Sequence, residues 1–116
     1  EKNKFNACKN NYEKSTNYKI IVNVRNGSGI SGAAEEVSDY LRELCYDTFY
    51  GNWINSNQSY TKILLHKSNE NMAGQLKKDL DLNNQENELN PSKLVDITLI
   101  IGRDYKTLNF YKKITK

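Results

Sequence analysis

Residues 26–32, Asn-Gly-Ser-Gly-Ile-Ser-Gly, constrain the fold more than any other part of this chain. Residues 19–25 before them are rich in Ile and Val, which favours a strand. After them, apolar residues recur at helical spacing to about residue 44, and Ser31 is suited to cap this helix. The chain is therefore predicted to turn sharply from a strand into a helix.

The same residues match the pattern Gly-x-Gly-x-x-Gly, with which nucleotide-binding proteins hold a pyrophosphate at the start of a helix. Three features oppose that interpretation. Glu35 and Glu36 place negative charge in the first helical turn, where it would repel a phosphate. Asp47 lies at the start of the next strand, whereas a ribose acceptor is needed at its end. The chain has 116 residues, too few for a doubly wound sheet.

A structural role accounts for the glycines without a ligand. Asn26 and Gly27 are expected to form a tight turn that needs a positive φ angle. Gly29 is expected to relieve crowding, and Gly32 to let the helix pack closely on the sheet. The segment is therefore interpreted as a strand-to-helix turn.

The remaining elements predict an α+β domain. Residues 46–53, 60–66 and 95–101 have the patterns of strands, and residues 69–80 form an amphipathic helix. This order predicts a split β-α-β-β-α-β sandwich, a four-stranded sheet with two helices on one face. The polar connection 55–59 is short, so the second and third strands are expected to pair as an antiparallel hairpin.

The chain ends differ in composition from this domain, which we place at residues 18–105. Residues 1–17 are rich in Lys, Asn and Glu and are interpreted as a flexible tether. Residues 106–116 form a C-terminal tail that could cover the open face of the sheet. Its apolar candidates for that contact are Leu108, Phe110, Tyr111 and Ile114.

Composition argues against several classes of function. A net charge of +3 gives little support for nucleic-acid binding. Cys8, Cys45 and His66 lack the spacing of a metal site, and neither a catalytic constellation nor a cofactor site can be assembled from the chain. The two cysteines could form a disulfide, but two unrelated thiols are favoured. No apolar run reaches the roughly 18 to 20 residues that span a membrane.

Aromatic and amide side chains cluster around the predicted hairpin. Aromatic rings can pack on the C–H faces of sugars, and amides can hydrogen-bond sugar hydroxyls, so the cluster is a candidate glycan site. Its members are Tyr50, Asn52, Trp53, Asn55, Gln58 and Tyr60. The favoured alternative is structural, with Tyr50 and Tyr60 as a cross-strand pair and Trp53 capping the hairpin.

Four segments, taken together, resemble the LytR C-terminal domain over residues 18–105. The first is residues 21–34, the strand, Asn-Gly-Ser-Gly turn and helix start. Residues 41–46 resemble the end of the family's first helix, with Cys45 in place of the usual glycine. The others are Gly51-Asn52 and the closing strand with Gly102, Asp104 and Tyr105.

The resemblance implies an extracytoplasmic domain. In that family it is often appended to LytR-CpsA-Psr proteins and is also found alone behind a membrane anchor, and we expect the second arrangement, without a phosphotransferase domain, for this chain. It implies a non-catalytic cell-envelope module in the periplasm or cell envelope, anchored by a segment upstream of Glu1. Binding of peptidoglycan or another cell-wall glycan is the first functional expectation. The alternative is a protein-interaction module that docks an envelope enzyme or a second copy of itself.

Overall fold

A computed structural model describes residues 8–115 and shows a mixed α/β domain. Its helices are α1 (Asn11–Thr16), α2 (Ala33–Glu43), α3 (Glu70–Leu80) and α4 (Asn109–Ile114). Its strands are β1 (Ile21–Asn26), β2 (Asp47–Asn52), β3 (Lys62–Leu65), β4 (Gln85–Asn87) and β5 (Ile97–Ile101). A short 3-10 helix, Tyr105–Thr107, lies between β5 and α4. The combination of helices with a sheet agrees with the sequence.

The strands form a five-stranded sheet in the order β2-β1-β5-β3-β4. Strand β1 is parallel to β2 and to β5, whereas β3 is antiparallel to β5 and parallel to β4. The predicted four-stranded split β-α-β-β-α-β sheet is therefore wrong in its number and order of strands. Because β1 and β5 separate β2 from β3, the expected hairpin does not exist.

The polar connection between β2 and β3 is a crossover and not a hairpin turn. It passes the carboxyl ends of β1 and β5, where the N–H of Trp53 donates to the carbonyl of Asn26 at 3.1 Å. Further along, the N–H of Gln58 donates to the carbonyl of Gly27 at 3.0 Å. The N–H of Arg103 donates to the carbonyl of Gln58 at 2.8 Å. These bonds explain how so short a connection can cross two strands.

Strand β4 is an element that the sequence does not predict. It lies in the polar segment 83–93, whose composition is too hydrophilic for the core. Its residues, Gln-Glu-Asn, show no apolar alternation and are mostly exposed. Backbone pairing with β3 at the sheet edge holds them. Such a strand leaves no hydrophobic pattern in the sequence.

The core lies between one face of the sheet and helices α2 and α3. Every second residue of the central strands points into it, and Val24 and Leu99 are fully buried there. Both predicted helical stripes face these residues, with Leu41 of α2 and Leu76 of α3 fully buried. Each such Leu side chain contributes about 1.5–3 kcal/mol by its burial. The apolar periodicity of the two helices is therefore confirmed.

Part of the predicted tether 1–17 instead forms helix α1, which packs against α3. The N–H of Tyr12 donates to Oε1 of Gln75 at 3.1 Å. The side-chain amide of Asn69 donates to the Tyr12 hydroxyl at 2.9 Å. These contacts are polar, so the hydropathy of the sequence does not reveal them. Residues 1–7 lie outside the described residues.

A disulfide joins Cys8 to Cys45, whose Cα atoms are 5.3 Å apart. The favoured alternative of two unrelated thiols is therefore wrong. Cys45 follows the end of helix α2 with φ 76°, the left-handed position at which helices commonly place glycine. The N–H of Cys45 donates to the carbonyl of Arg42 at 3.0 Å, and that of Tyr46 to the carbonyl of Leu41 at 3.1 Å. This is the Schellman arrangement, and it explains the glycine expected at this position.

The C-terminal tail packs on helix α2 and not on the open face of the sheet. Phe110 of α4 is 1% exposed, and its ring stacks on Tyr40 with centroids 6.5 Å apart. The prediction that the tail covers the open face of the sheet is therefore wrong. The residues named for that contact were Leu108, Phe110, Tyr111 and Ile114. Phe110 finds an aromatic partner on α2, whereas Leu64 and Ile100 on the other sheet face are 5% and 1% exposed without it.

Two tyrosine hydroxyls, those of Tyr46 and Tyr18, bond carboxylates of residues distant in sequence. The ring of Tyr46 is fully buried, and its hydroxyl donates to Oδ2 of Asp79 in α3 at 2.6 Å. Burial first, and then the Asp79 carboxylate, raise the pKa of Tyr46 far above its ordinary value. Burial and the hydrogen bond to Asp96 raise the pKa of Tyr18 to about 12. The folded state therefore disfavours the ionised form of these residues.

We expect the free energy of unfolding to fall as the pH rises above about 10, because tyrosines ionise there in the unfolded chain and stay protonated in the folded one. Below that pH their contribution is fully present. Tyr46→Phe should lower the free energy of unfolding at neutral pH by about 1–2 kcal/mol and reduce its slope above about pH 10. Urea unfolding at several pH values measures both, and equal slopes for the two proteins would contradict the role given to Tyr46.

Candidate functional site

The strand-to-helix turn is held together by its own side chains. Oδ1 of Asn26 accepts hydrogen bonds from the N–H and the hydroxyl of Ser28 at 3.0 and 2.6 Å. Nδ2 of Asn26 donates to the carbonyl of Ile30 at 2.8 Å. The hydroxyl oxygen of Ser28 accepts from the N–H of Ile30 at 2.9 Å. Asn26 is therefore the centre of a rigid turn after β1.

The glycines of the turn differ in what they require. Gly29 and Gly32 have φ angles of 79° and 80°, so the left-handed backbone lies there and not at Gly27. Gly27 is needed for space, since a Cβ atom there would lie 2.8 Å from Cβ of Gln58 and 3.1 Å from the carbonyl oxygen of Ile101. Gly32 occupies the N-cap position of α2, and no side chain caps the helix there. The predicted capping role of Ser31 is therefore wrong.

Three backbone donors in the first half of this turn already have acceptors inside the protein. The N–H of Gly27 donates to Ile101 at 2.9 Å, and the N–H groups of Ser28 and Ile30 bond side chains within the turn. A phosphate cradle needs such groups to point at the ligand. The Gly-x-Gly-x-x-Gly pattern is therefore built here as a corner of the fold.

The second motif, Gly102-x-Asp104-Tyr105, lies at the same end of the sheet as the turn. Oδ1 of Asp104 accepts from the N–H and the hydroxyl of Thr61 at 2.9 and 2.7 Å. The hydroxyl oxygen of Thr61 in turn accepts from the N–H of Gly102 at 2.9 Å. The Tyr105 hydroxyl donates to Oε1 of Glu36, in the first turn of α2, at 2.9 Å.

The two motifs lie at the same end of the sheet. In the predicted split topology the first and last strands are antiparallel, which would place the motifs at opposite ends. Strands β1 and β5 are parallel, so Gly27 and Gly102 both follow carboxyl ends. The crossover lies between them and is bonded to both. Together the motifs form the frame that carries the β2–β3 crossover.

A pocket of about 430 Å³, which we call the strand-end pocket, opens beside this frame at the carboxyl ends of β1 and β2. In parallel sheets this is the usual place for a ligand. Amide and hydroxyl side chains line it from Asn26, Asn52, Asn55, Ser31 and Ser56. Apolar walls come from Trp53, Ile30 and Ile54. A second pocket of about 250 Å³ shares Asn26 and Asn52 with it and includes Tyr50 and Glu35.

The structure divides the six predicted glycan-site residues into two groups. Four of them lie at the end of β2 or at the start of the crossover, and these four line the two pockets: Tyr50, Asn52, Trp53 and Asn55. Gln58 and Tyr60 line neither pocket. Nε2 of Gln58 donates to the carbonyl of Tyr60 at 3.0 Å, and its N–H bonds the turn after β1, so it holds the crossover in place.

The structural alternative for these aromatic residues is also corrected. Tyr50 and Tyr60 cannot be a cross-strand pair, because β2 and β3 are not neighbours. Tyr60 is 67% exposed on the crossover, away from the strand-end pocket. The ring of Trp53 is half-buried at the wall of that pocket.

Sequence reasoning missed the part of the pocket that comes from the strand-to-helix turn. Ile30 and Ser31 line it opposite the crossover residues Ile54 and Ser56. A parallel pairing of β1 with β2 would have been the signal, because residues after neighbouring parallel strands meet at one edge. The assumed hairpin hid this relation.

Metal-binding clusters, membrane-spanning helices and the charge of the pocket lining can be assessed over the described residues. Within residues 8–115, no three His, Cys, Asp or Glu side chains come together as they would around a metal ion. Over the same residues, no helix has the length and apolar character needed to cross a bilayer. The strand-end pocket itself is lined by neutral side chains, with Glu35 at the second pocket beside it.

Comparison with known proteins agrees with these motifs. The model of one family, described as LytR cell envelope-related transcriptional attenuator, matches residues 19–105. This range begins just before β1 and ends in the Gly-x-Asp-Tyr motif. No curated protein and no solved structure matches the chain. The chain therefore belongs to the LytR C-terminal domain family and is a cell-envelope-related domain of that type.

Proposed function

We propose that this domain is a non-catalytic, extracytoplasmic module that binds peptidoglycan or another cell-wall glycan in the strand-end pocket. One observation carries the proposal. The half-buried ring of Trp53 forms a wall of a 430 Å³ pocket whose other groups are mainly neutral amides and hydroxyls. The volume lies within the range of small-ligand sites.

The chemistry of the pocket suits a sugar. A pyranose ring has an apolar C–H face that can lie on an indole ring, and its hydroxyl and acetamido groups need hydrogen-bond partners at the edges. Asn52 and Asn55 are exposed at the pocket, so their amides are open to a ligand. Asn26 has a different role, because both ends of its amide already bond the turn.

Two further observations support the compartment. The family is related to the cell envelope. The disulfide between Cys8 and Cys45 suits an oxidising environment outside the cytosol. A module that meets the cell wall there needs affinity for glycan and no catalytic group of its own.

Co-sedimentation with purified peptidoglycan sacculi tests the proposal. We expect the wild-type domain to sediment with sacculi and Trp53→Ala to bind about tenfold more weakly, because the variant removes the stacking surface. Tyr60→Ala is the matched control, since it truncates an exposed aromatic residue outside the pocket and should bind like the wild type. Circular dichroism checks that each variant is folded.

Two outcomes would reject glycan binding in this pocket. The first is no retention of the wild-type domain beyond that of an unrelated protein of similar charge. The second is equal loss in Trp53→Ala and Tyr60→Ala, which would show a non-specific aromatic effect.

A further inference from the structure

The outer edge of strand β2 carries backbone groups that pair with no other strand of the sheet. The N–H of Asp47 donates to Ile20 at 3.0 Å and that of Trp53 to Asn26 at 3.1 Å, both on the β1 side. Backbone groups of a strand alternate in direction, so the odd-numbered residues of β2 face β1. The N–H and C=O groups of Thr48 and of every second residue after it therefore face away from the sheet.

This edge has little of the usual protection against pairing with another strand, since only two arginine side chains, Arg42 and Arg25, bond its outward carbonyls. Natural edge strands are commonly shielded by Lys, Pro, bulges or covering segments. Residues Asp47–Asn52 contain neither Lys nor Pro, and their pairing with β1 is continuous. Phe49 is 54% exposed on one face of the strand, and Tyr50 is 47% exposed on the other. An edge with two exposed aromatic side chains is suited to pairing.

Charges along the edge are arranged so that the strand complements itself. On the face of Phe49, Asp47 stands at the beginning of the strand. At its end, the Arg25 guanidinium occupies the place where a side chain at Gly51 would be. If two copies of such a strand lie side by side in opposite directions, the negative end of each lies beside the positive end of the other.

The opposite face repeats this arrangement with residues of helix α2. Nη2 of Arg42 donates to the carbonyl of Thr48 at 3.2 Å, at the beginning of the edge, and Nη1 of Arg42 lies 3.7 Å from Oδ1 of Asp39. Glu35 lies near its end, where it lines a pocket together with Tyr50. Opposite charges therefore alternate across a twofold axis on both faces of the strand.

We propose that β2 pairs antiparallel with β2 of a second copy of this chain, with the two Phe49 residues opposite each other. In that register Thr48 of each copy faces Tyr50 of the other, which forms backbone bonds between outward groups. Phe49 becomes a non-hydrogen-bonded pair, the position at which side chains approach most closely. The interface is isologous and joins the two sheets into one.

The same register pairs the charges. Asp47 of each copy meets Arg25 of the other on the Phe49 face, and Arg42 meets Glu35 on the helical face. In a single copy the Arg42 guanidinium bonds the outward carbonyl of Thr48. In the dimer this carbonyl gains a backbone donor from Tyr50 of the second copy, which leaves Arg42 free to reach Glu35. The strand-end pocket lies beyond the end of the strand, so the pairing leaves it open.

Analytical ultracentrifugation of the chain at concentrations up to about 1 mM tests the pairing. We expect a monomer–dimer equilibrium in which Phe49→Lys raises the dissociation constant about tenfold or more, because two like charges then face each other. Tyr60→Lys is the control, because it introduces the same charge at an exposed aromatic residue outside β2. It should dimerise like the wild type.

A charge exchange tests the register. Arg25→Asp and Asp47→Arg should each weaken the dimer, and the chain that carries both changes should recover it, because the two charges again meet as opposites. Amide exchange in the dimer should slow at Thr48 and Tyr50. A wild-type chain that stays monomeric, or a dimer that survives Phe49→Lys, would overturn the proposal. A double exchange that does not recover the dimer would overturn its register.

Discussion

We expect Gly102→Ala to lower the free energy of unfolding by about 3 kcal/mol or more, because residue 102 has no room for a side chain. A Cβ atom there would lie 2.4 Å from the carbonyl carbon of Tyr60 and 2.6 Å from the backbone nitrogen of Thr61. Both atoms belong to the crossover backbone, so relief requires the backbone to move and weakens the bond from the Gly102 N–H to Thr61. Denaturant unfolding followed by circular dichroism measures the change.

Gly74→Ala is the matched control for this substitution. Gly74 lies within helix α3, and beyond its chain neighbours and the backbone of its own helix no atom lies within 4 Å of a Cβ placed there. The same change should raise the free energy of unfolding by about 0.5–1 kcal/mol, because alanine loses less backbone entropy in a helix. Opposite signs at the two positions would establish steric crowding at Gly102. A Gly102→Ala variant as stable as the wild type would contradict the close contact.

Loss of the disulfide should be the other large effect. Cys8→Ser opens a link between residues 37 positions apart, and the entropy of the freed unfolded chain corresponds to about 4 kcal/mol of lost stability. The change also releases the segment before α1 from the end of α2. Unfolding by guanidinium chloride, without reductant for the wild type, measures the difference. A loss below about 1 kcal/mol would contradict a structural disulfide.

Substitutions at position 45 separate the effect of the disulfide on stability from the effect of the left-handed backbone conformation at that residue. Cys8→Ser with Cys45→Ser and Cys8→Ser with Cys45→Gly both lack the link, but only glycine adopts the φ of 76° without strain. We expect the glycine variant to be the more stable of the two by about 1 kcal/mol. Equal stabilities would show that the left-handed conformation at Cys45 costs nothing. Glycine, the residue of the family pattern at this position, adopts this left-handed conformation without a steric cost.

The strand-to-helix turn shows what local sequence can and cannot predict. The position of the turn, the strand before it and the helix after it all follow from a few adjacent residues, and the structure contains each of them. The positive φ was expected at Asn26-Gly27 but occurs at Gly29 and Gly32. Gly27 is instead required by Gln58 and Ile101, which are distant in sequence. Contacts of this kind leave no local pattern.

The order of the strands could not be derived in the same way. Short polar connections usually join antiparallel neighbours, and this rule predicted a hairpin between β2 and β3. Here the connection crosses two strands because its backbone bonds to Gly27 and Arg103. Whether a connection turns or crosses depends on partners far along the chain. The C-terminal tail follows the same logic, since Phe110 packs on Tyr40 of α2 and not on the sheet.

The candidate site illustrates the consequence for function. Residue chemistry selected Trp53 and its neighbouring amides, which the structure places at one pocket. It could not select Ile30 and Ser31, which reach that pocket only because β1 and β2 are parallel. It also included Tyr60, which the crossover holds away from it.

By itself, the sequence determined the family, both amphipathic helices, the glycine turn and the closing Gly-x-Asp-Tyr motif, because each is encoded within a short stretch of chain. Only the tertiary structure decided the order of the strands, the pairing of Cys8 with Cys45, the strand-end pocket and the free edge of β2. The physical reason is range. Periodicity and turn preference act over a few residues, whereas strand neighbours, disulfides and pockets depend on groups that folding brings together from distant positions.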